Sequence, residues 1–360
     1  MENAFAEQVI PGTFIRVQAE NLISAGGLSW GNVGIVGTAA NADPANNVIG
    51  TTQILSSLDD ARARYAPSDG ISAATMNLMR CLELLFRNGA TTVYSHALAV
   101  GATVGDFTTA VESELLKENI NILVVPELTT SEALTVIGAV NNAETDGKDI
   151  IAVYGSDKTV FDDIDDDVTT NKRFIMVTPG IRVYEAASDS VVTLPGNYTA
   201  AVMAGLLSSL PPHISPTNKV LPGTTELATK YSYGQLKSLL QNRVCPLEDR
   251  QGIRVVRGLT TDDAAFTQIT TRRIVDFAKA GVRQVSNPFI GRLNNIRVRK
   301  ALQGAIDGFL TTMVVDEMLT EYSLEVKATR QDEIAGRCVV NVAMKPTFSI
   351  DYIRVTLALS

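Results

Sequence analysis

Apolar positions change their spacing along this chain, and the changes mark out its parts. Residues 1–28 alternate only loosely. Pro11-Gly12 punctuates, Ile15, Val17 and Ala19 fall on one side of Thr13–Ala19, and Gly26-Gly27 follows. This predicts an arm with one strand, centred on Thr13, Phe14, Ile15, Arg16 and Val17. From Asn32 to about Val244, short apolar runs alternate with stretches of helical period. Strands are predicted at Val33–Gly37, Thr92–Ala97, Ile120–Val125, Ile150–Tyr154 and Phe174–Thr178. Helices are predicted at Leu58–Tyr65, Ser72–Asn88, Phe107–Asn119, Ser131–Glu144 with Ser131 as N-cap, Gly196–Leu210 and Ser232–Asn242. The fold class expected is α/β, a mixed, largely parallel sheet with helices on both faces.

The last third reads as an α+β module with a small sheet. Ile253–Val256 is strand-like. Helices are predicted at Thr271–Gln284 and Gly291–Glu317, the latter with candidate breaks at Gly304 and Gly308. Three strands of period two close the chain: Tyr322–Thr329, Arg337–Lys345 and Tyr352–Leu359. The last of these contains Ile353, Arg354, Val355, Thr356 and Leu357. The expected division is an N-terminal arm at 1–28, a central domain at 29–244, a C-terminal domain at 245–348 and an arm strand at 349–360. Chain ends fray unless tied down. Strands at both ends can pair with sheet edges of neighbouring copies, or they can join the chain's own sheet; the pattern leaves both open.

Composition narrows the classes. The chain has 360 residues, 45% hydrophobic and 19% charged, which fits a folded chain of one large or two ordinary domains. It lacks an apolar run long enough to span a membrane, so no membrane insertion is expected. Acids stand at the N-terminus where a secretory signal needs basic residues, which predicts synthesis in a cytoplasm. Cys81, Cys245 and Cys338 share no metal-ligand spacing and are odd in number, so each is expected to be a small buried residue. Residues 1–242 hold 14 Lys and Arg against 26 Asp and Glu, whereas residues 243–360 hold 17 against 13. Such a split predicts two regions facing different partners.

Candidate chemistry is sparse. Val33–Gly37 with Thr38–Asn41 lacks the spacing of a dinucleotide-binding turn, and there is no P-loop, so no cofactor is expected. Asp162, Asp163, Asp165, Asp166 and Asp167 could gather oxygens around a cation, but without EF-hand spacing they read as a solvated loop. Any histidine-dependent mechanism must use His96 or His213, and no G-x-S-x-G elbow exists, so no catalytic residue is assigned. The strongest charge feature is Arg272, Arg273, Lys279, Arg283, Arg292, Arg297, Arg299 and Lys300 against Asp276 alone. A basic surface of this kind seeks an anionic partner, unless acids of the same fold neutralise it. Aromatic residues are not interleaved for base stacking, so nucleic acid is disfavoured.

Several stretches together resemble the contractile-tail sheath proteins of bacteriophages and phage-tail-like particles. They are Ile10-Pro-Gly-Thr-Phe-Ile-Arg16, Ser215-Pro-Thr-Asn-Lys-Val-Leu-Pro-Gly223, Asn242-Arg-Val-Cys-Pro-Leu247, Gly252-Ile-Arg-Val-Val-Arg-Gly258, Arg272-Arg-Ile-Val-Asp-Phe277, Phe289-Ile-Gly-Arg-Leu-Asn294 and Tyr322-Ser-Leu-Glu-Val-Lys327, in family order. The resemblance implies a structural protein, not an enzyme. It implies hexameric rings stacked helically around a tail tube, and partners in the tube, baseplate and tail terminator proteins. Terminal arms would add strands to a small receiving sheet at Leu324, Val326, Val340 and Val342. Contraction would drive the tube through a cell envelope for genome ejection. The location implied is the virion tail, after assembly in a bacterial cytoplasm. With the charge pattern, the resemblance points to Arg292, Arg297, Arg299 and Lys300 as tube-facing. The alternative from another class is an α/β hydrolase or nucleotide-binding enzyme.

Overall fold

The computed structural model describes residues 28–39, 48–65, 78–166, 168–185 and 189–358. The N-arm strand expected at Thr13–Val17 lies outside these residues. The first half of the chain supplies β1 (Val33–Thr38), β2 (Thr52–Leu55), α1 (Leu58–Tyr65), α2 (Leu78–Arg87), β3 (Val93–Leu98), α3 (Val104–Ser113), β4 (Ile122–Val124), α4 (Thr130–Thr145), β5 (Ile151–Gly155), α5 (Phe161–Asp166) and β6 (Phe174–Thr178). Then come β7 (Ile181–Glu185), β8 (Ser190–Leu194), α6 (Gly196–Ser209), β9 (Glu226–Leu227), α7 (Tyr233–Gln241), β10 (Cys245–Asp249) and β11 (Ile253–Val255). The last third adds α8 (Ile269–Ser286), α9 (Ile296–Val315), β12 (Leu319–Lys327), α10 (Arg330–Ile334) and β13 (Val339–Pro346).

Eight strands form one sheet in the order β11-β10-β6-β5-β4-β1-β3-β2. The inner strands run parallel, and β2 and β11 are antiparallel edges. The parallel strands are apolar on both faces because both are covered. Helices α1, α2 and α6 pack on one face, and α3, α4 and α7 on the other. The expected α/β architecture is therefore observed. Strands β10 and β11 belong to this large sheet, so it reaches beyond residue 244. A separate three-stranded sheet, β8-β7-β9, stands beside it.

Where the structure departs from the periodicity, local chemistry explains it. Helix α4 is capped by Thr129, not Ser131, because Glu132 accepts the Thr129 N–H at 2.8 Å. Helix α3 starts at Val104 for the same reason, with Asp106 accepting from Thr103 at 2.8 Å. Helix α9 begins at Ile296 rather than 291. Gly291 adopts φ +83°, which ends the preceding turn, and the Asn295 side chain caps Val298 N–H at 2.9 Å. The helix then runs unbroken through Gly304 and Gly308. Strands β2, β7, β8 and β10 carried no clear apolar signal. The strand expected at Tyr352–Leu359 is not formed among the described residues; 347–358 runs without regular structure.

Glycine permits the closest approach in the central core. A methyl group on Gly155, at the end of β5, would lie 1.7 Å from the Gly196 carbonyl oxygen at the start of α6. Helix α6 is buried on all sides, so it cannot retreat. Gly155→Ala is therefore expected to destabilise the fold by about 2 kcal/mol or more, and urea unfolding of the variant checks this.

Candidate assembly interface

In open α/β sheets, ligands bind where the strand order reverses. Here that point lies between β1 and β4. The chain fills it with its own side chain. Thr38 N–H donates to Glu127 Oε1 at 2.5 Å, and Thr38 Oγ1–H donates to Glu127 Oε2 at 2.7 Å. Burial pushes the Glu127 carboxyl above its usual range, against the pull of these two bonds. His96 is buried in β3 with Nδ1 3.0 Å from Thr52 Oγ1, and burial lowers its pKa. His213 lies half-buried in the loop after α6. Among the described residues, no group of His, Cys, Asp and Glu is placed to hold a metal ion, and no helix is long and apolar enough to cross a membrane. Asp162 and Asp163 lie exposed on α5. Cys81 and Cys245 are buried as expected, but Cys338 is only half-buried, beside the start of β13.

The basic segment divides in two. Most of its α8 part packs against the fold, and three of its four cations pair with acids there. Arg173, fully buried before β6, donates from Nη1 and Nη2 to Asp276 of α8, both at 3.0 Å. Its Nε reaches Glu144 Oε2 at 2.9 Å, and Nη2 reaches Asp149 Oδ1 at 2.9 Å. Arg272 pairs with Asp276, and Lys279 with Asp149. Lys279 also reaches Glu144 at 3.3 Å, and Arg283 reaches Asp149 at 3.3 Å. Hydrogen bonding from Arg173 holds the Glu144 carboxyl well below the usual carboxylate range. Arg273 is buried and, among the described residues, has no carboxylate within ion-pair distance. It donates to the Leu210, Trp30 and Pro211 carbonyl oxygens at 2.8, 3.3 and 3.4 Å. Burial draws its guanidinium down to about 10, so it stays a cation at neutral pH. Of the two readings left open for this segment, neutralisation within the fold describes Arg272 and Lys279, Arg273 is buried against backbone carbonyls, and Arg283 pairs with Asp149 while staying exposed.

The second part stays outside. Arg292 lies exposed over the Phe289 ring, 5.1 Å from its centroid. Arg297 and Lys300 are exposed in the first turns of α9. Arg299 is half-buried and paired with Glu333 at 3.0 Å. Large apolar side chains stand exposed among them, Ile290, Leu293 and Ile296.

Helices α8 and α9 carry the small sheet. Phe277, Phe309 and Met313 form its floor, and Gly281 lets the Phe309 ring approach closely. Strands β12 and β13 form an antiparallel hairpin, with Leu324 opposite Val342 and Val326 opposite Val340. Those four, with Tyr322 and Met344, face the helices, while Ser323, Glu325, Asn341 and Ala343 face solvent. The sheet has only these two strands, so both outer edges lack a strand partner among the described residues. Downstream, residues 352–358 are all exposed. Ile353, Val355 and Leu357 repeat with period two and are 82%, 72% and 86% exposed. An alternating apolar segment without a sheet therefore leaves the same module that holds a sheet whose outer edges have no strand partner among the described residues.

Comparison with known proteins bears on this arrangement. Residues 261–360 match the model of the phage tail sheath C-terminal domain. No curated protein sequence matches the chain. The fold is similar to a chain of the anti-feeding prophage baseplate, 6-fold symmetrised, with TM-score 0.77 and 18% identity over 98% of this chain and 99% of that one. It is similar to a chain of the PVC sheath complex, an extracellular contractile injection system in its contracted state, with TM-score 0.76 and 15% identity over 99% of both chains. A sheath tail protein from Desulfitobacterium hafniense aligns with TM-score 0.66 and 13% identity over 93% of this chain and 100% of that one. The resemblance drawn from the sequence motifs is borne out, and the fold is that of sheath proteins.

The ion pairs around Arg173 make stability depend on pH. A carboxyl whose folded pKa is depressed contributes stability that is present above its unfolded value, about 4.3, and is lost as pH falls. Glu144→Gln is expected to be less stable than wild type at neutral pH. The gap should close as pH drops through about 4 and below. Urea titrations of both chains across that range test it.

Proposed function

We propose that this chain is a structural, non-enzymatic subunit of a contractile sheath. The observation that carries the reading is the presence in one module of an exposed, alternating apolar segment at 352–358 and of a hairpin whose two outer edges have no strand partner among the described residues. Within one subunit both features are costly. Unpaired edges present free N–H and C=O groups, and an exposed alternating segment leaves its apolar side chains in water. Strand addition between copies resolves both. Each of Ile353, Val355 and Leu357 would gain about 1.5–3 kcal/mol on full burial, and the main chain would gain ladder bonds.

In this reading, subunits form six-membered rings stacked helically around a tail tube. Strands from the N-terminal arm (1–28, with Thr13–Val17) and the C-terminal arm (349–360, with Ile353–Leu357) enter the hairpin of neighbours, alongside Leu324, Val326, Val340 and Val342. The central domain at 29–244 faces outward, and the inner module at 245–348 faces the tube, although its first strands join the large sheet. Arg292, Arg297 and Lys300, and Arg299 beside Glu333, meet an acidic tube surface. Baseplate and terminator proteins bound the sheath, and its contraction drives the tube through a cell envelope. The particle is assembled in the host cytoplasm and carries the chain in its tail. Glu127, lodged at the strand-order reversal, gives the enzyme alternative no support.

Removing residues 350–360 is expected to leave a folded monomer that forms no tubes, as seen by negative-stain electron microscopy. Normal tubes from the truncated chain would refute strand addition by this arm. Reversing charge at Arg292, Arg297 and Lys300 together should weaken co-assembly with the tube while sparing tube-free polymers. Co-sedimentation with tube protein measures this, and unchanged co-assembly would reject the tube-facing assignment.

A further inference from the structure

The C-terminal segment does not leave the body freely. After β13 ends at Pro346, Thr347 N–H still bonds the Met318 carbonyl oxygen at 3.0 Å. Two residues later, the Gln268 side chain grips Ser349 as a peptide group would in a ladder. Its Oε1 accepts Ser349 N–H at 3.2 Å, and its Nε2 donates to the Ser349 carbonyl oxygen at 3.3 Å. Nε2 also donates to Asp351 Oδ2 at 2.9 Å. The same oxygen takes Arg257 Nε–H at 2.7 Å, and the Asp351 side chain is 6% exposed. The Arg257 guanidinium then lies 5.2 Å from the centroid of the Tyr352 ring. Beyond Tyr352, residues 353–358 make no hydrogen bond or ion pair among the described residues.

We infer that Arg257, Gln268 and Asp351 form a clamp that sets the point and direction in which residues 353–358 leave the subunit, and so positions that strand for addition to a neighbour. The inference rests on the strand-addition reading and names residues that set its geometry. The physical argument is one of preorganisation. A strand tethered at a fixed point searches a small volume, which raises its effective concentration at the receiving edge. Ordering cost already met in the free subunit is not charged to assembly. The grip is polar and sits where contact with the body stops. Gln268 and Arg257 lie on the body, at the start of α8 and just after β11, so the anchor moves with the large sheet and α8. These are positioning residues; they do not themselves enter the neighbouring sheet.

The test uses the full-length chain carrying Arg354→Cys, with spin labels there and on the native Cys338 beside the hairpin. Pulsed dipolar spectroscopy is expected to give a defined distance distribution, which Asp351→Ala should broaden about twofold. Asp351→Asn keeps an oxygen acceptor for Gln268 and Arg257 and should stay near wild type. An unchanged width in Asp351→Ala overturns the clamp, whatever the chain's assembly behaviour. In the chain without the Arg354 change, Asp351→Ala should raise the concentration needed for polymerisation about tenfold while leaving Tm unchanged. A fall in Tm with unchanged polymerisation also overturns the inference, because the contact is then a fold contact alone. If deleting residues 350–360 blocks assembly but Asp351→Ala does not, the clamp fails and strand addition stands. If the deletion assembles normally, strand addition itself fails.

Discussion

A guanidinium buried at the head of an inner strand has to be neutralised where it sits, and the seating of the C-terminal helices follows from that requirement. Arg173 is fully buried, and Asp276, Glu144 and Asp149 converge on it from α8, the end of α4 and the loop before β5. Removing one member of such a set leaves an uncompensated charge, which costs far more than the set gains over an apolar seam. The consequence is geometric. Helix α8 has one seat on the large sheet, Arg273 ties that seat to the carbonyl oxygens at Leu210 and Pro211, and α9 with the hairpin follows. The clamp on the C-terminal segment uses Gln268 at the head of the same helix.

The second constraint is the backbone's own. Every strand edge carries donors and acceptors that need partners. In the large sheet, residues 218–221 bond along the outer edge of β11, and helices cover both faces. The small sheet has no such closure. Its apolar face is covered by α8 and α9, but among the described residues its outer edges pair with no strand, and an alternating apolar segment without a sheet is tethered to the same module. Among the described residues, the core is saturated and the periphery of the small sheet is not.

The strand-rich core was legible because fully buried strands read as unbroken apolar runs, as at Phe174–Thr178, and amphipathic helices as a 3.6-residue period, as at Leu58–Tyr65. Element ends were less so. A capping box at Thr129 and Glu132 outweighed Ser131, and a left-handed Gly291 delayed α9, since caps act through single hydrogen bonds that periodicity does not register. Strand β8 is mostly exposed and carries mixed side chains, and β7 turns only Ile181 and Val183 inward, too short an alternation to stand out. The motifs that suggest sheath proteins were present in the chain; the geometry linking them was not.

The amino-acid order alone determined which segments could be strands or helices, that the last residues alternate with period two, and that positive charge collects between Arg272 and Lys300. Those properties depend on neighbours in sequence, so they survive without a fold. What the charge does was decided only by the tertiary structure. It brought Glu144 and Asp149 from far along the chain to Lys279 and Arg283, and left Arg292, Arg297 and Lys300 outside. Likewise, the pattern at 352–358 could not say whether the segment completes its own hairpin. Ladder bonds and charge-assisted hydrogen bonds form only at about 3 Å, and the attraction between exposed charges is largely screened beyond about 10 Å, so the outcome depends on which residues the fold makes neighbours.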